Sequence, residues 1–484
     1  MSIRRDRTKH ALRAADARPG GCMAGWGTAL AVVLLMMTAH GQTPAQEIVG
    51  CQDPDPMGWL PSTPPVAARY SLEDTPLFRS LEHAREVYRR LAGHEAGGPE
   101  AVHPEWSKPL PPLPGGKLAP GDAYAGLATL ARRLAALGDL PPEVALPVRY
   151  EGALVEAVRR FQGRHGLTVD GVVGRATLAA LEVTPAERLQ QIERNIARLR
   201  EAPPLRGKRA VLVNLPEFAL RLYERRDGRW QEQDYVRVII GKAPDHTTPL
   251  FDEDIAYVEF NPYWNIPRSI AVRETLPRLR RDPGYFDRAG LEAVMPDGRI
   301  AQHFSEELLQ AVASGGARLR QRPGPDNAMG DIKFILPNNS GIYLHHTPSV
   351  GLFERSRRDF SHGCIRVEKP VALANFVLAD PVSWPPARII EAMRAGQNRT
   401  LRLPAPVQVL VVYSTVAENE GVVHFFPDVY GYDSGEIQPG QTRGSGEATS
   451  RVRKVEAERE NVDMASGWRL RPVEPFVVHE EPNR

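Results

Sequence analysis

The sequence predicts a multi-domain protein in which a mainly β, β-sandwich-like domain with a helical insertion follows a helical scaffold and a small α-helical module. Three observations predict this fold class. The chain has 484 residues, more than a single domain usually holds. Apolar residues recur at helical spacing up to about residue 200, whereas short β-branched and aromatic runs begin near residue 208. Proline- and glycine-rich stretches separate the N-terminal helices.

The composition argues against some classes of protein. A hydrophobic fraction of 42% supplies enough apolar material for buried cores. The formal net charge is only +2, so the chain lacks the bulk positive charge that a nucleic-acid-binding protein uses. No nucleic-acid partner is therefore expected.

The first 41 residues have the pattern of a secretory signal peptide. Basic residues precede the uncharged run Thr28–Thr38, and small residues follow it. Cleavage is expected after Gly41 or Ala45, which predicts an exported protein without a membrane span in its mature form. The run is shorter than the roughly 20 apolar residues that cross a bilayer. An uncleaved N-terminal anchor and a lipoprotein processing site at Ile48–Cys51 are the alternatives.

Residues 52–149 are predicted to be a linker and a helical scaffold. The linker is rich in proline. A first helix is expected from Pro76 to Leu91, because Thr75 can cap it and proline fits the first helical position. A second helix is expected from Ala123 to Leu137, where leucines recur at helical spacing.

Residues 150–182 form a compact unit with its own pattern. From Phe161 the sequence reads FQxxxGLxxDGxxGxxTLxAL, in which glycines mark tight turns. This pattern resembles the small α-helical peptidoglycan-binding module found on many cell-wall enzymes. A helical hairpin that serves only as scaffold is the alternative. A scaffold helix is then expected within residues 183–205, roughly from Pro185 to Arg200.

The mainly β domain is predicted over residues 206–433. Residues 267–329 are interpreted as a helical insertion, with helices at Glu274–Arg281 and Ser305–Leu319. Residues 434–484 are predicted to be a polar, disordered tail without a packed core. The predicted strands are Ala210–Asn214, Phe218–Tyr223, Tyr235–Ile240, Ile255–Phe260, Ile332–Leu336, Gly341–Leu344, Gln408–Val412 and Val422–Phe426.

A cysteine with nearby histidines carries the candidate chemistry. Cys364 ends the sequence Ser-His-Gly-Cys, and a thiol must lose its proton before it attacks a carbonyl, usually to a histidine. The candidate bases are His362, two residues earlier, and His345, at the end of an apolar strand. Gly363 allows a tight turn in which the backbone amides of Gly363 and Cys364 can approach an oxyanion. The spacing therefore favours a cysteine–histidine nucleophile pair.

Three other roles for Cys364 are possible. Histidine and cysteine are residue types that bind zinc, so His345, His362 and Cys364 could form part of a metal site. No CxxC, HxxxH or fourth ligand lies nearby in the sequence, so no metal is expected. Cys51 could form a disulfide with Cys364 in an oxidising compartment. A buried, inert cysteine is the third alternative, and the three arginines close to it in the sequence argue against such an apolar setting.

Two segments carry a resemblance to a known family. Tyr-Leu-His-x-Thr-Pro-Ser at 343–349 and Ser-His-Gly-Cys-Ile-Arg-Val at 361–367 resemble the signature of the L,D-transpeptidase catalytic domain, also called YkuD-type. Residues 241–249, 260–267 and 324–330 also resemble the large, multi-domain branch of that family. The resemblance spans roughly residues 75–430.

The resemblance implies roles for five residues. Cys364 would be the nucleophile, and His345 would be its general base. The backbone carbonyl of His346 would orient the His345 ring. His362 and Gly363 would shape the oxyanion turn.

The resemblance also implies substrate contacts. Arg366 would contact a carboxylate of the substrate, since a guanidinium binds carboxylates in a bidentate manner. Tyr343 and Trp264 would line the cleft, with a role as ordinary core aromatics as the alternative.

The implied reaction is the formation of 3→3 peptidoglycan cross-links. Cys364 would form a thioester on the third stem residue, D-alanine would leave, and an amine of a second stem would resolve the thioester. Peptidoglycan stem peptides would be donor and acceptor, no cofactor would be needed, and the enzyme would act in the periplasm or cell wall. Carbapenems would acylate the same thiol. The alternatives are an L,D-carboxypeptidase, transfer to an envelope protein, and a non-catalytic peptidoglycan-binding scaffold.

Overall fold

The computed structural model of the chain describes residues 46–48, 68–93, 103–141, 143–338, 341–419 and 421–434, the first of these ranges by its backbone alone. The predicted signal peptide, Cys51 and nearly all of the predicted tail lie outside the described residues.

The described residues contain helices in both halves of the chain. Among them, no helix is both long enough and apolar enough to cross a membrane. The α-helices are α1 (Pro76–Leu91), α2 (Leu127–Ala136), α3 (Ala153–Arg164), α4 (Arg175–Glu182), α5 (Pro185–Glu201), α6 (Arg268–Ile270), α7 (Leu276–Arg281), α8 (Tyr285–Arg288), α9 (Glu306–Ser314), α10 (Pro370–Leu378) and α11 (Pro386–Arg394).

Strands dominate from residue 205 onward, as the sequence predicts. The strands are β1 (Gln46–Ile48), β2 (Arg69–Tyr70), β3 (Leu205–Arg206), β4 (Arg209–Asn214), β5 (Ala219–Arg226), β6 (Arg229–Gly241), β7 (Asp252–Phe260), β8 (Trp264–Asn265), β9 (Leu291–Val294), β10 (Ile300–Ala301), β11 (Arg318–Gln321), β12 (Ile332–Ile335), β13 (Leu344–His345), β14 (Asp359–Ser361), β15 (Ile365–Val367), β16 (Arg399–Val412), β17 (Val416–Asn419) and β18 (Val422–Phe425).

The N-terminal helices follow their capping signals. Helix α1 has the predicted bounds, and the Thr75 hydroxyl accepts a hydrogen bond from the Phe78 amide. Helix α5 begins with a capping box in which Thr184 and Glu187 bond reciprocally. Helix α2 is shorter than predicted at both ends, with Gly126 as its N-cap. The pattern of apolar residues located these helices, but it did not fix the ends of α2.

Helices α3 and α4 form the compact unit predicted from the glycine pattern. The buried Gln162 amide holds the loop between them, because it donates to Asp170 at 2.9 Å and accepts from the Gly171 amide at 2.9 Å. Phe161 is fully buried and shares one core with leucines of α2, including Leu134. The segment before residue 150 therefore packs as part of the same helical unit.

The largest sheet closes on itself. Its strands follow the order β16-β4-β5-β6-β15-β13-β12-β7, and β7 pairs again with β16. Inward-facing side chains of all these strands form one core, to which α10 and α11 contribute. The prediction of a mainly β domain is confirmed. The sequence analysis did not identify α10 and α11, although their apolar side chains fill this core.

Helices α1 and α5 cover part of the outer face of this sheet. Side chains alternate between faces along a strand, so Val211 of β4 points into the closed sheet while Leu212 points outward. Leu212 and Leu410 share a second core with Leu81 of α1 and Ile192 of α5. The helical scaffold thus packs directly on the β domain and leaves the strands β12, β13 and β15 to other neighbours.

The insertion between β7 and β12 contains a sheet as well as helices, so the prediction of a helical insertion was incomplete. Strands β8 to β11 form a four-stranded sheet around a core of their own. The predicted helix Ser305–Leu319 was wrong in its second half, because α9 ends at Gly315 in the left-handed conformation (φ 87°). Arg318–Gln321 then forms β11, which pairs with β8 and β9.

Candidate active site

Three polar side chains share the outer face of neighbouring strands. His345 is the last residue of β13, as the sequence predicts, and it lies opposite Arg366 of β15 and Lys333 of β12. Directly paired residues point to the same face of a sheet. Leu344 and Ile365, which precede His345 and Arg366 in their strands, point inward and belong to the core. His345, Arg366 and Lys333 therefore lie on one outer face.

Cys364 lies next to this group at the start of β15. The Ile365 amide donates to the Tyr343 carbonyl at 2.9 Å, which places Cys364 beside Tyr343. Cys364 carries a free thiol that is half-buried, and its Sγ lies 3.7 Å from the Gly341 carbonyl oxygen. Because side chains alternate along a strand, Cys364 and Arg366 share one face, and so do Tyr343 and His345.

A side chain of the preceding loop shapes the start of β13. The sequence analysis predicts a strand from Gly341, but the structure begins it at Leu344. The Asn338 amide donates to the Ile342 carbonyl at 2.8 Å, and the Ile342 amide donates to the Asn338 Oδ1 at 3.2 Å. Asn338 thus engages both backbone groups of Ile342 and holds the segment that leads into β13.

The ring of His345 is held by backbone carbonyls. Its Nδ1 lies 2.5 Å from the His346 carbonyl oxygen, and because a carbonyl only accepts, Nδ1 carries the proton. Burial, together with the charge of Arg366, lowers the pKa of His345 to about 3, although hydrogen bonds to the backbone of His346 and Met329 oppose this shift. The imidazole is therefore neutral at pH 7, and with the proton on Nδ1 its Nε2 is the unprotonated nitrogen.

The Cys364 thiol is protonated in the resting site. Burial raises the pKa of Cys364, and this effect exceeds the opposing influence of the Tyr343 backbone and of the cations Lys333 and Arg366. The site thus holds a neutral thiol and a neutral imidazole on the same face of the sheet. The alternative of a thiolate activated in advance by an imidazolium does not agree with these pKa directions.

The Ser-His-Gly-Cys turn is fixed from both sides. The Ser361 hydroxyl donates to the Cys364 carbonyl at 2.5 Å, and the Gly363 amide donates to the Ser361 oxygen at 3.2 Å. The Thr248 hydroxyl donates to the Gly363 carbonyl at 2.8 Å. Gly363 has φ 112°, which only glycine adopts readily. Since the Gly363 amide is engaged, the Cys364 amide is the better candidate to face an oxyanion.

Gly330 allows the close approach that positions His346. Gly330 has φ 64°, and a side chain there would place its Cβ 2.8 Å from the His346 backbone carbon. The His346 ring Nδ1 lies 3.3 Å from Asp331 Oδ2, so the ring is held by a contact of its own. The main chain of His346 is therefore packed tightly, and its carbonyl has a defined position for His345.

Two cations give the outer face a positive character. The Nε of Arg366 is buried and has no hydrogen-bond partner among the described residues, and burial lowers the pKa of Arg366. Lys333 Nζ lies 4.1 Å from the centroid of the Tyr343 ring and 3.5 Å from Glu259 Oε2. The sequence analysis missed Lys333, although a charged residue inside the apolar run of β12 was a signal for it.

Two further predicted site residues contact the insertion or lie in it. The Nε2 of His362 lies 2.7 Å from Glu274 Oε1 of the insertion, and its ring contacts the His246 ring. Trp264 lies in β8 and packs against the core of the insertion. The roles of His362 in the turn and of Trp264 in the cleft stay predictions.

The fold and the geometry describe a cysteine–histidine site on the outer face of a closed β-sheet. Residues 208–394 match the “L,D-transpeptidase catalytic domain” family (YkuD), and residues 124–181 match the “Putative peptidoglycan binding domain” family. The chain contains a YkuD-type L,D-transpeptidase catalytic domain together with a module of the peptidoglycan-binding type, so the family resemblance is confirmed.

Individual relatives agree with this family. A “Putative L,D-transpeptidase” from Haemophilus influenzae is 31% identical over 244 residues, which cover 50% of this chain and 48% of that protein. The chain thus spans about half the length of this curated relative.

Two solved structures were also matched at low similarity. The L,D-transpeptidase of Xylanimonas cellulosilytica is 18% identical, covers 63% of this chain and 100% of that chain, and has a TM-score of 0.19. Bd1075 of Bdellovibrio bacteriovorus is 14% identical, covers 46% of this chain and 51% of that chain, and has a TM-score of 0.18. At these scores neither structure supports an argument.

Proposed function

We propose that the chain is an L,D-transpeptidase that forms 3→3 peptidoglycan cross-links through a thioester on Cys364. One observation carries this proposal. Cys364, His345 and Arg366 share the outer face of two adjacent strands, and the His345 ring is oriented by the His346 carbonyl. This arrangement provides three groups that acyl transfer uses, namely a nucleophile, an oriented base and a cation.

The first step forms the thioester. The Cys364 sulfur attacks the carbonyl carbon of the third stem residue while His345 Nε2 takes the thiol proton. The resulting imidazolium is stabilised by the backbone of His346 and Met329, which favour the charged ring. It then gives the proton to the nitrogen of the leaving D-alanine, and the C–N bond breaks.

The second step consumes the thioester. An amine of a second stem attacks the same carbonyl carbon, His345 takes a proton from the attacking nitrogen, and the C–S bond breaks. The sulfur leaves and regains its proton from the imidazolium, which restores the neutral pair. If water attacks instead, the product is a tripeptide, and the enzyme is an L,D-carboxypeptidase.

Substrate carboxylates suit the two cations of the outer face. A stem peptide carries free carboxylates close to the scissile bond, and the buried Nε of Arg366 offers a donor without a partner among the described residues. A carboxylate bound there would form a bidentate pair with the guanidinium. Lys333 lies beside Tyr343, with its charge paired to Glu259. We therefore assign Arg366, with Lys333 and Tyr343, to donor binding.

The oxyanion of each step requires donors at the turn. The backbone amide of Cys364 is the candidate donor, and Gly363 gives the turn its shape. His362 supports the same turn through its contact with Glu274 rather than by proton transfer. We infer that His362 acts on the geometry of the site.

The helical module suits a role in wall binding. Its groove, of about 400 Å³, is lined by Val144, Ala145, Pro147, Glu151, Gly152, Ala153 and Leu154. Two apolar side chains beside it are solvent-exposed, Leu146 at 50% and Val148 at 91%. Exposed apolar surface next to a groove is typical of a binding site. Such a module would keep the catalytic domain at the peptidoglycan of the periplasm or cell wall.

A product assay tests the proposed function. The protein is incubated with purified disaccharide-tetrapeptide, and the products are identified by mass spectrometry. We expect cross-linked dimers that lack one D-alanine, and no reaction for Cys364→Ala. Tripeptide as the sole product would indicate a carboxypeptidase. Unchanged substrate, with the wild-type protein still bound to purified sacculi, would indicate a non-catalytic scaffold.

A further inference from the structure

Three metal-ligating side chains meet beside the turn that carries Cys364. One ligand atom from each of His246, Glu274 and His362 lies within 4.8 Å of the other two. His362 Nε2 lies 2.7 Å from Glu274 Oε1, and the rings of His246 and His362 have centroids 4.4 Å apart. The three residues come from the loop after β6, the insertion and the Ser-His-Gly-Cys turn. The proposed reaction uses the contact between His362 and Glu274, but it gives no role to His246.

The two histidines are held in place relative to each other. A side chain at Gly241 would place its Cβ 1.8 Å from the His246 carbonyl oxygen and 2.9 Å from the Gly363 Cα, so the loop and the turn are in close contact. The Thr248 hydroxyl joins them, because it accepts from the Gly241 amide at 2.9 Å and donates to the Gly363 carbonyl at 2.8 Å. Two of the three ligands are therefore preorganised before any ion binds.

The set of donors selects the kind of ion. Two imidazoles and one carboxylate are a common zinc ligand set, with the fourth position left to water, whereas magnesium and calcium prefer oxygen ligands alone. Ligand atoms about 2.0–2.1 Å from a tetrahedral zinc ion lie about 3.3 Å from one another. Small rotations of these side chains would reach that spacing. Glu274 and His362 are exposed and His246 is half-buried, so an ion has a path to the site.

We propose that His246, Glu274 and His362 bind one zinc ion, which fastens the insertion to the turn that carries Cys364. Glu274 lies in the helical segment that joins α6 to α7, whereas both histidines belong to the framework of the β domain. The ion replaces a single hydrogen bond between the insertion and the turn with coordinate bonds. Zinc thereby restricts movement of the insertion relative to the turn that carries Cys364.

Calorimetry with zinc chloride tests the site. The full chain with Cys364→Ala is used, so that the reactive thiol cannot contribute a ligand. We expect one zinc per chain, and at least tenfold weaker binding when His246→Ala or Glu274→Gln is added. His303→Ala and Asp287→Asn are the matched controls, since both residues are exposed in the same insertion and lie outside the cluster. Circular dichroism checks that each variant is folded.

Hydrogen exchange tests the link to the insertion. Zinc should slow exchange of residues 268–281 in the Cys364→Ala protein but not after addition of Glu274→Gln. The proposal is overturned by the absence of stoichiometric binding, by binding that survives both ligand variants, or by unchanged exchange at saturating zinc. Because the tested protein lacks the thiol, these results do not depend on the proposed transpeptidase reaction.

Discussion

At the scale of single residues, the candidate site is a neutral pair rather than an ion pair. Burial raises the pKa of Cys364 and lowers that of His345 to about 3, because a charged form of either group loses hydration. Proton transfer must then accompany attack on the substrate. The site gains protection from nonspecific alkylation and oxidation, because the reactive thiolate exists only during the reaction.

The pH dependence of thiol alkylation tests this state. The rate at which iodoacetamide reacts with Cys364 should still rise with pH above 8.5. The reason is that the pKa of Cys364 is raised above the ordinary cysteine pKa of about 8.5. The rate should show no inflection near pH 6.5, because His345 stays neutral there. His345→Gln should leave this profile nearly unchanged. A plateau reached below pH 7 and lost in His345→Gln would contradict the neutral pair.

Gly330 tests how His345 is positioned. Gly330→Ala would force a Cβ against the His346 backbone, whereas a Cβ at Gly207 would meet no atom within 4 Å. Both glycines have left-handed φ angles, 64° at Gly330 and 71° at Gly207. Each variant should lose about 1–2 kcal/mol of stability from backbone strain. Only Gly330→Ala should slow carbapenem acylation, by tenfold or more, because small displacements of reacting groups are costly. Equal acylation rates in intact-protein mass spectrometry would remove His346 from the account.

The site residues that the sequence analysis identified lie close together in the sequence, whereas the residues that it missed lie far from them. Cys364, His345 and Arg366 lie within one short segment, so their motif was visible in the sequence. Lys333 and Glu274 come from separate elements. The register of the sheet brings Lys333 to the site, and the path of the insertion brings Glu274 there. No local pattern reports such a meeting.

At the scale of elements, the insertion is a separately packed part of the catalytic domain. It has its own core and its own sheet, and it touches the Ser-His-Gly-Cys turn through Glu274. The sequence analysis predicted two helices and no strand in the insertion, because β9, β10 and β11 are only two to four residues long. Such short strands pair with distant partners and leave little periodicity to detect.

The insertion is expected to act as a lid that favours an amine acceptor over water. Glu274→Ala removes its contact with His362, so the ratio of tripeptide to cross-linked product should rise, by roughly threefold or more. Asp287→Ala, an exposed acid of the same insertion, should leave the ratio unchanged. Products are quantified by mass spectrometry with EDTA present, which removes any effect of zinc. An unaltered ratio in Glu274→Ala would exclude the lid.

The groove of the helical module is expected to bind the wall. Changing Leu146 and Val148 together to aspartate should reduce sedimentation with purified sacculi by about fivefold, because two apolar contacts are replaced by charges. The control Val382→Asp alters an equally exposed valine of the catalytic domain, 90% against 91% for Val148. Carbapenem acylation should be unchanged in both proteins. Equal sedimentation would assign the module to scaffolding.

At the scale of the whole molecule, the helical regions and the catalytic domain share cores. Helices α1 and α5 pack on the outer face of the sheet, and Arg164 of α3 forms a buried ion pair with Asp139 while reaching the Val423 carbonyl of β18. Deleting the module would expose these surfaces, so point substitutions are the better test of wall binding. The apolar patterns predicted the helices and most strands, but not which face each helix would cover.

The closed sheet was beyond the reach of sequence reasoning for a related reason. Strand β16 pairs with β7 on both sides of a shift in register between Arg402 and Val407, and from Gln408 onward it also pairs with β4. Pairing between strands about 150–200 residues apart is a tertiary property, although each strand alone was visible as a β-branched run. The position of the site on the outer face follows from this closure.

The central claim is that Cys364 forms a thioester that depends on His345. Intact-protein mass spectrometry of the protein mixed with disaccharide-tetrapeptide, quenched in acid, tests it most directly. The account predicts one adduct of the donor minus D-alanine, mapped to Cys364, absent in Cys364→Ala and formed roughly 10²- to 10⁴-fold more slowly in His345→Ala, as for a lost general base. An adduct on another residue, or cross-linked product from Cys364→Ala, would contradict it.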